Sequence, residues 1–290
     1  MNRVGVVALS FAAAAALAHA GTGYAQNAPQ PAAKGEYRPE VGQAGKDVVW
    51  VPTPPELVEK MLDMAQVTSQ DVVFDLGSGD GRIAIAAAKR GARTRGIEYN
   101  PDMVELSRAN ARKAGMSDKV EFVRGDIFET DFSRATVVTM YLLPQLNLKL
   151  RPTILSMKPG TRIVSHAFTM DDWEPDQIAA VEGRDAYLWI VPARVNGGWR
   201  LTHKSGSGEE VIDLEILQKY QRFAGTAKRG SSSAPIADGR LDGDQVSFAF
   251  TGADGVKREF MGRVRGDRMD GTTKLQTGTN VQFTATRTTK

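Results

Sequence analysis

A short apolar run that turns directly into a glycine loop constrains this chain more than any other feature. Asp71-Val72-Val73-Phe74-Asp75-Leu76 reads as a strand, Gly77-Ser78-Gly79-Asp80-Gly81 follows at once, and Arg82 to Arg90 is an alanine-rich helical stretch. Strand, glycine loop and helix in that order open an α/β sheet and place the loop at the sheet's carboxyl edge, where such sheets bind ligands. The surrounding segments agree. Val58, Met61, Leu62 and Ala65 recur at helical spacing, with Thr53 as a candidate cap and Pro54 in the first turn. A second strand ends at Gly96-Ile97-Glu98, and Asn100-Pro101 opens a helix running to Gly115. Val120 to Val123, Ala135 to Leu142 and Thr161 to Ala167 are further strand candidates separated by helix-length segments. This alternation predicts a parallel sheet with helices on both faces.

The loop chemistry narrows the ligand. A phosphate-cradling loop ends in Lys followed by Ser or Thr, whereas Arg82-Ile83 stands here. A dinucleotide fingerprint spaces its glycines G-x-G-x-x-G, but these stand at 77, 79 and 81, with Asp75 before them and Asp80 among them. Carboxylates there repel a pyrophosphate and suit a cation. S-adenosylmethionine carries a sulfonium and an ammonium and no phosphate, and glycines allow close backbone approach to its methionine part. Glu98, at the end of the second strand, is placed to accept from both ribose hydroxyls. Asp126, just after the third strand, lies at the same edge on the adenine side. Either acid alone reads equally well as a strand-end cap; together with Asp75 and the loop they read as one site.

With those residues in view, residues 47–193 resemble a class I (seven-stranded) S-adenosylmethionine-dependent methyltransferase, a Rossmann-like fold. Val51-Pro52-Thr53-Pro54, Asp75 to Arg82 and Glu98-Tyr99-Asn100-Pro101 are similar to the ATP synthase c-subunit lysine N-methyltransferase family and its bacterial relatives. The resemblance implies cofactor contacts from Thr53, Asp75, Gly77, Ser78, Gly79, Asp80, Gly81, Glu98, Asp126 and Ile127, and a lysine side chain in a protein as acceptor. The loop after the fourth strand reads Met140-Tyr141-Leu142-Leu143-Pro144, without the Asn/Asp-Pro-Pro-aromatic signature of DNA-base and glutamine methylation. Tyr141 is the candidate catalytic side chain, orienting an amine, although an aromatic at a strand end more often packs. His166 ends the next strand at the same edge and reads first as a hydrogen-bonded core histidine, second as a base.

Outside this region the chain changes character twice. Arg3, the apolar run Val4 to Ala18, and the small-residue sites ending at Ala20 and Ala25 predict a secretory signal over 1–25 and an exported, periplasmic or secreted protein if that signal is used, a cytoplasmic one otherwise. Residues 26–46, with Pro29, Pro31, Gly35, Pro39, Gly42 and Gly45, predict a linker. From 194 to 290, alternation such as Val246-Phe248-Phe250 predicts a small antiparallel β-barrel or sandwich of seven or eight strands. Its expected turns are Asp242-Gly243, Asp254-Gly255 and Asp270-Gly271, and its expected core is Trp199, Leu214, Leu217, Phe248, Phe250 and Phe260. It carries no catalytic cluster, and its sequence does not choose between holding a ligand, docking a partner and packing on the enzyme.

Composition removes several classes. The 290 residues contain no cysteine, which excludes disulfides, a thiolate nucleophile and Cys-ligated metal. Lys and Arg total 37 against 34 Asp and Glu, so no net positive footprint calls for nucleic acid, and no metal is expected. Three readings remain: a protein-lysine methyltransferase with an accessory module, a small-molecule methyltransferase whose module helps bind substrate, and an exported noncatalytic protein that keeps the cofactor cleft.

Overall fold

The computed structural model describes residues 37–205 and 208–288, so the expected signal and the first part of the expected linker lie outside the described residues. The first half runs α1 (Pro55–Met64), β1 (Val72–Leu76), α2 (Arg82–Lys89), β2 (Arg93–Glu98), α3 (Pro101–Lys113), β3 (Val120–Arg124), β4 (Val137–Met140), α4 (Pro144–Leu155), β5 (Arg162–His166), β6 (Gln177–Val181) and β7 (Arg184–Ile190). These strands form one seven-stranded sheet in the order β3-β2-β1-β4-β5-β7-β6. Strands β1 to β5 pair in parallel, as expected, while β7 runs antiparallel to both β5 and β6. The reason is local: Glu182 and Gly183 both take positive φ, at 51° and 75°, which is the tight hairpin turn that joins antiparallel neighbours. The strand order reverses between β1 and β4, which opens a crevice beyond their carboxyl ends.

Side-chain alternation divides the sheet's two faces. Val73, Val137 and Val164 pack under Leu57, Met61 and Leu62 of α1 and Ile83 of α2. Their neighbours Phe74, Val138 and Ile163 point the other way and pack with Leu150 and Ile154 of α4. Helix α3 is capped as its sequence predicts, Asn100 Oδ1 accepting the amides of Asp102 at 2.9 Å and Met103 at 3.4 Å. Helix α1 corrects the expectation. Pro54 is its cap residue, no side chain closes the end, and the Thr53 hydroxyl turns inward to His166.

The second half is a closed barrel of β8 (Gly197–Ser205), β9 (Gly208–Lys219), β10 (Arg222–Arg229), β11 (Ser232–Asp242), β12 (Gln245–Thr251), β13 (Lys257–Arg265), β14 (Arg268–Lys274) and β15 (Asn280–Arg287). Each strand pairs antiparallel with the next, and β15 closes on β8 from Phe283 opposite His203 to Arg287 opposite Trp199. Closure leaves no free sheet edge, so the barrel stands and the sandwich does not. Trp199, Phe248, Phe260 and Phe283 fill the interior. Two expectations fail, one on strand parity and one on the place of a turn. Leu217 is 69% exposed because Ile216, one position earlier, takes the inward place. Asp270-Gly271 lies inside β14, where Gly271 allows the β13 backbone to approach; the hairpin turn is at Gly266.

Barrel and sheet meet through the β5–β6 connector. Trp173 stacks on Tyr220 at 5.7 Å between ring centroids, Tyr220 donates to Asp172 at 2.8 Å, and Gln221 donates to the Glu174 carbonyl at 2.7 Å. The Ala193 amide donates to the Gly243 carbonyl at 2.8 Å. Among the described residues no helix is long and apolar enough to cross a membrane.

Candidate active site

The crevice at the β1/β4 reversal is a cavity of about 270 Å³ lined by the glycine loop, the ends of β1, β2 and β4, and residues 43–53. Three of the loop glycines take positive φ: 74° at Gly77, 54° at Gly79 and 84° at Gly81. This conformation is unfavourable for any residue with a Cβ. Gly79 also needs the room, because a Cβ there would stand 2.8 Å from Nε1 of Trp50. Gly81 differs from its expected role. It lies away from the lining, where a Cβ would meet the Phe122 ring at 2.5 Å, so its glycine serves helix packing.

The acids converge as the spacing implies. Asp75 is buried; its Oδ1 accepts from Thr139 at 2.7 Å and its Oδ2 has no partner. Burial, together with the charges of Asp80 and Glu98, pushes its pKa up to about 7. Glu98 holds both oxygens on backbone amides, Oε2 on Gly79 and Oε1 on Asn100, each at 2.9 Å. Each oxygen keeps a lone pair for a hydroxyl. Asp80 is paired by Arg82 at 2.7 Å, and Arg82 also donates to the Thr53 carbonyl at 3.0 Å. Ser78 Oγ is buried and without a partner, while Ile127 and Asp126 line the far wall. Lys46 bonds Asp126, which lowers the carboxyl's pKa and raises that of the amine, and its Nζ lies 4.6 Å from the Tyr99 ring centroid. An unpartnered buried carboxylate oxygen beside two further acids is what a cationic ligand neutralises. The donor set fits the ammonium, sulfonium and ribose hydroxyls of S-adenosylmethionine.

Composition makes residues 42–50 the end of a linker and a lead-in, yet they form a strap over this cavity. The Gly42 amide donates to the Trp50 carbonyl at 2.8 Å, and Ala44 bridges Val49. Lys46 and Trp50 are therefore site residues that composition conceals. The available signal is a lone tryptophan in a glycine-rich stretch, which needs an apolar partner.

Beside the glycine loop, where a Cβ on Gly77 would stand 3.1 Å from Leu142, the lining is apolar. Tyr141, Leu142, Leu146 and Phe168 form it. Beneath, His166 is 3% exposed, shares a 3.0 Å hydrogen bond with Thr53 through Nδ1, and stacks on Tyr141 at 3.7 Å between centroids. Burial, with the charge of Arg184, pushes its pKa down to about 4. It stays neutral, in accord with the core-histidine reading. Among the described residues no group of three or more His, Cys, Asp or Glu is arranged to hold a metal.

Comparison with known proteins fits this geometry. The family described as the ANTKMT methyltransferase domain matches residues 75–177, which run from Asp75 of β1 to the start of β6. A protein-lysine N-methyltransferase of Saccharolobus islandicus (strain REY15A) is 42% identical over 151 residues, covering 50% of this chain and 94% of the relative. The ATP synthase c-subunit lysine N-methyltransferase of Xenopus laevis is 34% identical over 173 residues, covering 59% of this chain and 70% of the relative. A crystal structure of an RNA methyltransferase from Salinibacter ruber with S-adenosyl-L-homocysteine is 52% identical and covers 50% of this chain and 96% of that one, with a TM-score of 0.49. From sheet order, acid cluster and the two lysine methyltransferase relatives together, the chain belongs to the class I methyltransferase family that includes the ATP synthase c-subunit lysine N-methyltransferases, and its methyl donor is S-adenosylmethionine.

Proposed function

We propose that this enzyme transfers a methyl group to the ε-amine of a lysine in a protein substrate. One observation carries the reading: the part of the lining formed by Tyr141, Leu142, Leu146 and Phe168 bears no charged side chain, and the ring stacked on Tyr141, His166, is neutral. The naming of the relatives as lysine methyltransferases supports it. S-adenosylmethionine supplies a methyl group already activated by its sulfonium. What the protein must add is a neutral amine, held in line. An ammonium entering an apolar channel loses hydration, its pKa falls, and the proton leaves to water before the lone pair is needed. Positioning then supplies most of the rate. Tyr141 offers the hydroxyl that orients the amine, while Asp75, Asp80 and Glu98 hold the donor.

Incubation with methyl-labelled S-adenosylmethionine and a total membrane fraction, followed by mass spectrometry, tests the assignment. Label on lysine side chains is expected. Label confined to small molecules or to other residues overturns it, and no transfer at all would favour a noncatalytic binding protein.

We infer also that the mature chain works outside the cytoplasm, beginning after Ala20 or Ala25. Arg3, the apolar run and the small-residue sites support this in order. Protein recovered from the cytosol that starts at Met1 would refute it.

A further inference from the structure

We propose that His166 is a positioning residue for methyl transfer: its imidazole fixes the Tyr141 ring, and through it the Tyr141 hydroxyl, relative to the segment that carries Thr53. The proposal rests on reading the Tyr141 wall as the acceptor side.

Three side chains meet at this point. On one face His166 stacks against Tyr141, 3.7 Å between centroids and 28° between planes. At Nδ1 it shares the 3.0 Å hydrogen bond with Thr53. The Thr53 carbonyl in turn accepts from Arg82, whose guanidinium grips Asp80 of the glycine loop. A continuous series of contacts therefore joins the donor's loop to the acceptor's wall, and His166 is the member that turns a hydrogen bond into a ring contact.

The chain just after His166 is held in an unfavourable shape for the same wall. Ala167 has φ of 64°, a left-handed conformation rare for a residue with a Cβ. It is retained because the Ala167 amide donates to the Asp185 carbonyl and the Phe168 amide to the His166 carbonyl, both at 2.8 Å, while Ser165 Oγ donates to the Phe168 carbonyl, also at 2.8 Å. The turn brings the Phe168 ring to 6.1 Å from Tyr141. Tyr141 thus meets both rings of the segment that leaves β5. Strain retained by several bonds at a cleft wall is characteristic of sites where geometry must be fixed. The buried ring disfavours the imidazolium, and positioning asks no proton transfer of it.

Two variants separate the contacts. His166→Phe keeps a ring for Tyr141 and loses the bond to Thr53; His166→Asn keeps a partner for Thr53 and loses the ring. Each is compared with wild type by calorimetry with S-adenosylmethionine, by kcat and KM with whichever acceptor wild type labels, by melting temperature, and by NMR of 13C-tyrosine rings. The expected result is that His166→Asn moves the Tyr141 ring resonances and lowers kcat roughly fivefold, the loss of one neutral hydrogen bond to the acceptor, with cofactor affinity within about twofold. His166→Phe should retain the ring-current shift that the stacked ring gives Tyr141 but recover only part of the kcat, the remainder being the lost bond to Thr53. The proposal is overturned if Tyr141 resonances do not move in His166→Asn, if they move while kcat stays within about twofold, or if melting temperature and cofactor affinity fall in step with kcat. An acceptor other than lysine would overturn the acceptor assignment alone, since every one of these readouts still applies.

Discussion

Glu98 Oε2 accepts the Gly79 amide at 2.9 Å, so the acid expected to bind the ribose also ties the glycine loop to the end of β2. One substitution therefore removes two functions. Glu98→Ala should weaken S-adenosylmethionine binding by roughly tenfold or more, from the loss of a charged hydrogen bond worth about 1.5–3 kcal/mol. It should also speed amide exchange at Gly79. Glu98→Gln, which keeps one acceptor oxygen, should fall between. Calorimetry giving equal affinity for wild type and Glu98→Ala would refute this use of the cleft.

Asp75 makes binding depend on pH. Its free-enzyme pKa is raised to about 7, so below that value much of the population carries a protonated carboxyl. A cationic donor favours the ionised form and drives the proton off. Affinity should rise as pH increases toward 7 and level off above it, with proton release on binding in acid that vanishes at alkaline pH. Calorimetry in buffers of different ionisation enthalpy reads that proton directly. Asp75→Asn keeps the acceptor for Thr139 but cannot ionise, so its affinity should be weak and flat with pH.

Much of this is legible in the sequence because it depends on short-range rules. Alternation decides which side of β12 faces the barrel interior, and a glycine loop between strand and helix locates the cleft. Glu98 is readable since strand ends bring acids to one edge at a fixed spacing. What escapes depends on tertiary context. Thr53 looks like a cap, but Pro54 and Pro55 start α1 without one and release its hydroxyl to His166, a residue 113 positions away. Residues 42–50 lack periodicity because a strap crossing a cavity has no repeating face. Leu217 misleads because an apolar residue beside the inward Ile216 looks buried until the strand's register is known.

The barrel should fold without the sheet. Its buried residues, Ala193 to Ala285, form one cluster with no member from the strands or helices of the sheet half, and closure satisfies every strand edge. Residues 194–290 alone should melt cooperatively, losing Ala193 with its bond to Gly243 and the contacts of Tyr220 and Gln221 with Asp172, Trp173 and Glu174. Within it Phe260→Ala should cost about 3–5 kcal/mol, while Leu217→Ser should stay within about 0.5 kcal/mol. A disordered fragment, or equal costs at the two positions, would contradict a self-contained core.

Tyr141→Phe isolates the hydroxyl from the ring. The phenyl group can keep the stack on His166 and the contact with Phe168, so the wall's shape and the donor's site stay in place. Only the group proposed to orient the amine is removed. One neutral hydrogen bond is worth about 1 kcal/mol, which corresponds to roughly a fivefold drop in rate if the bond is made in the transition state. The loss should appear in kcat and kcat/KM, with S-adenosylmethionine affinity within about twofold of wild type. A bond made equally to bound acceptor and transition state would instead raise KM and spare kcat. Unchanged values for both would leave Tyr141 as packing alone, and the amine would then have to be aligned by the shape of the channel.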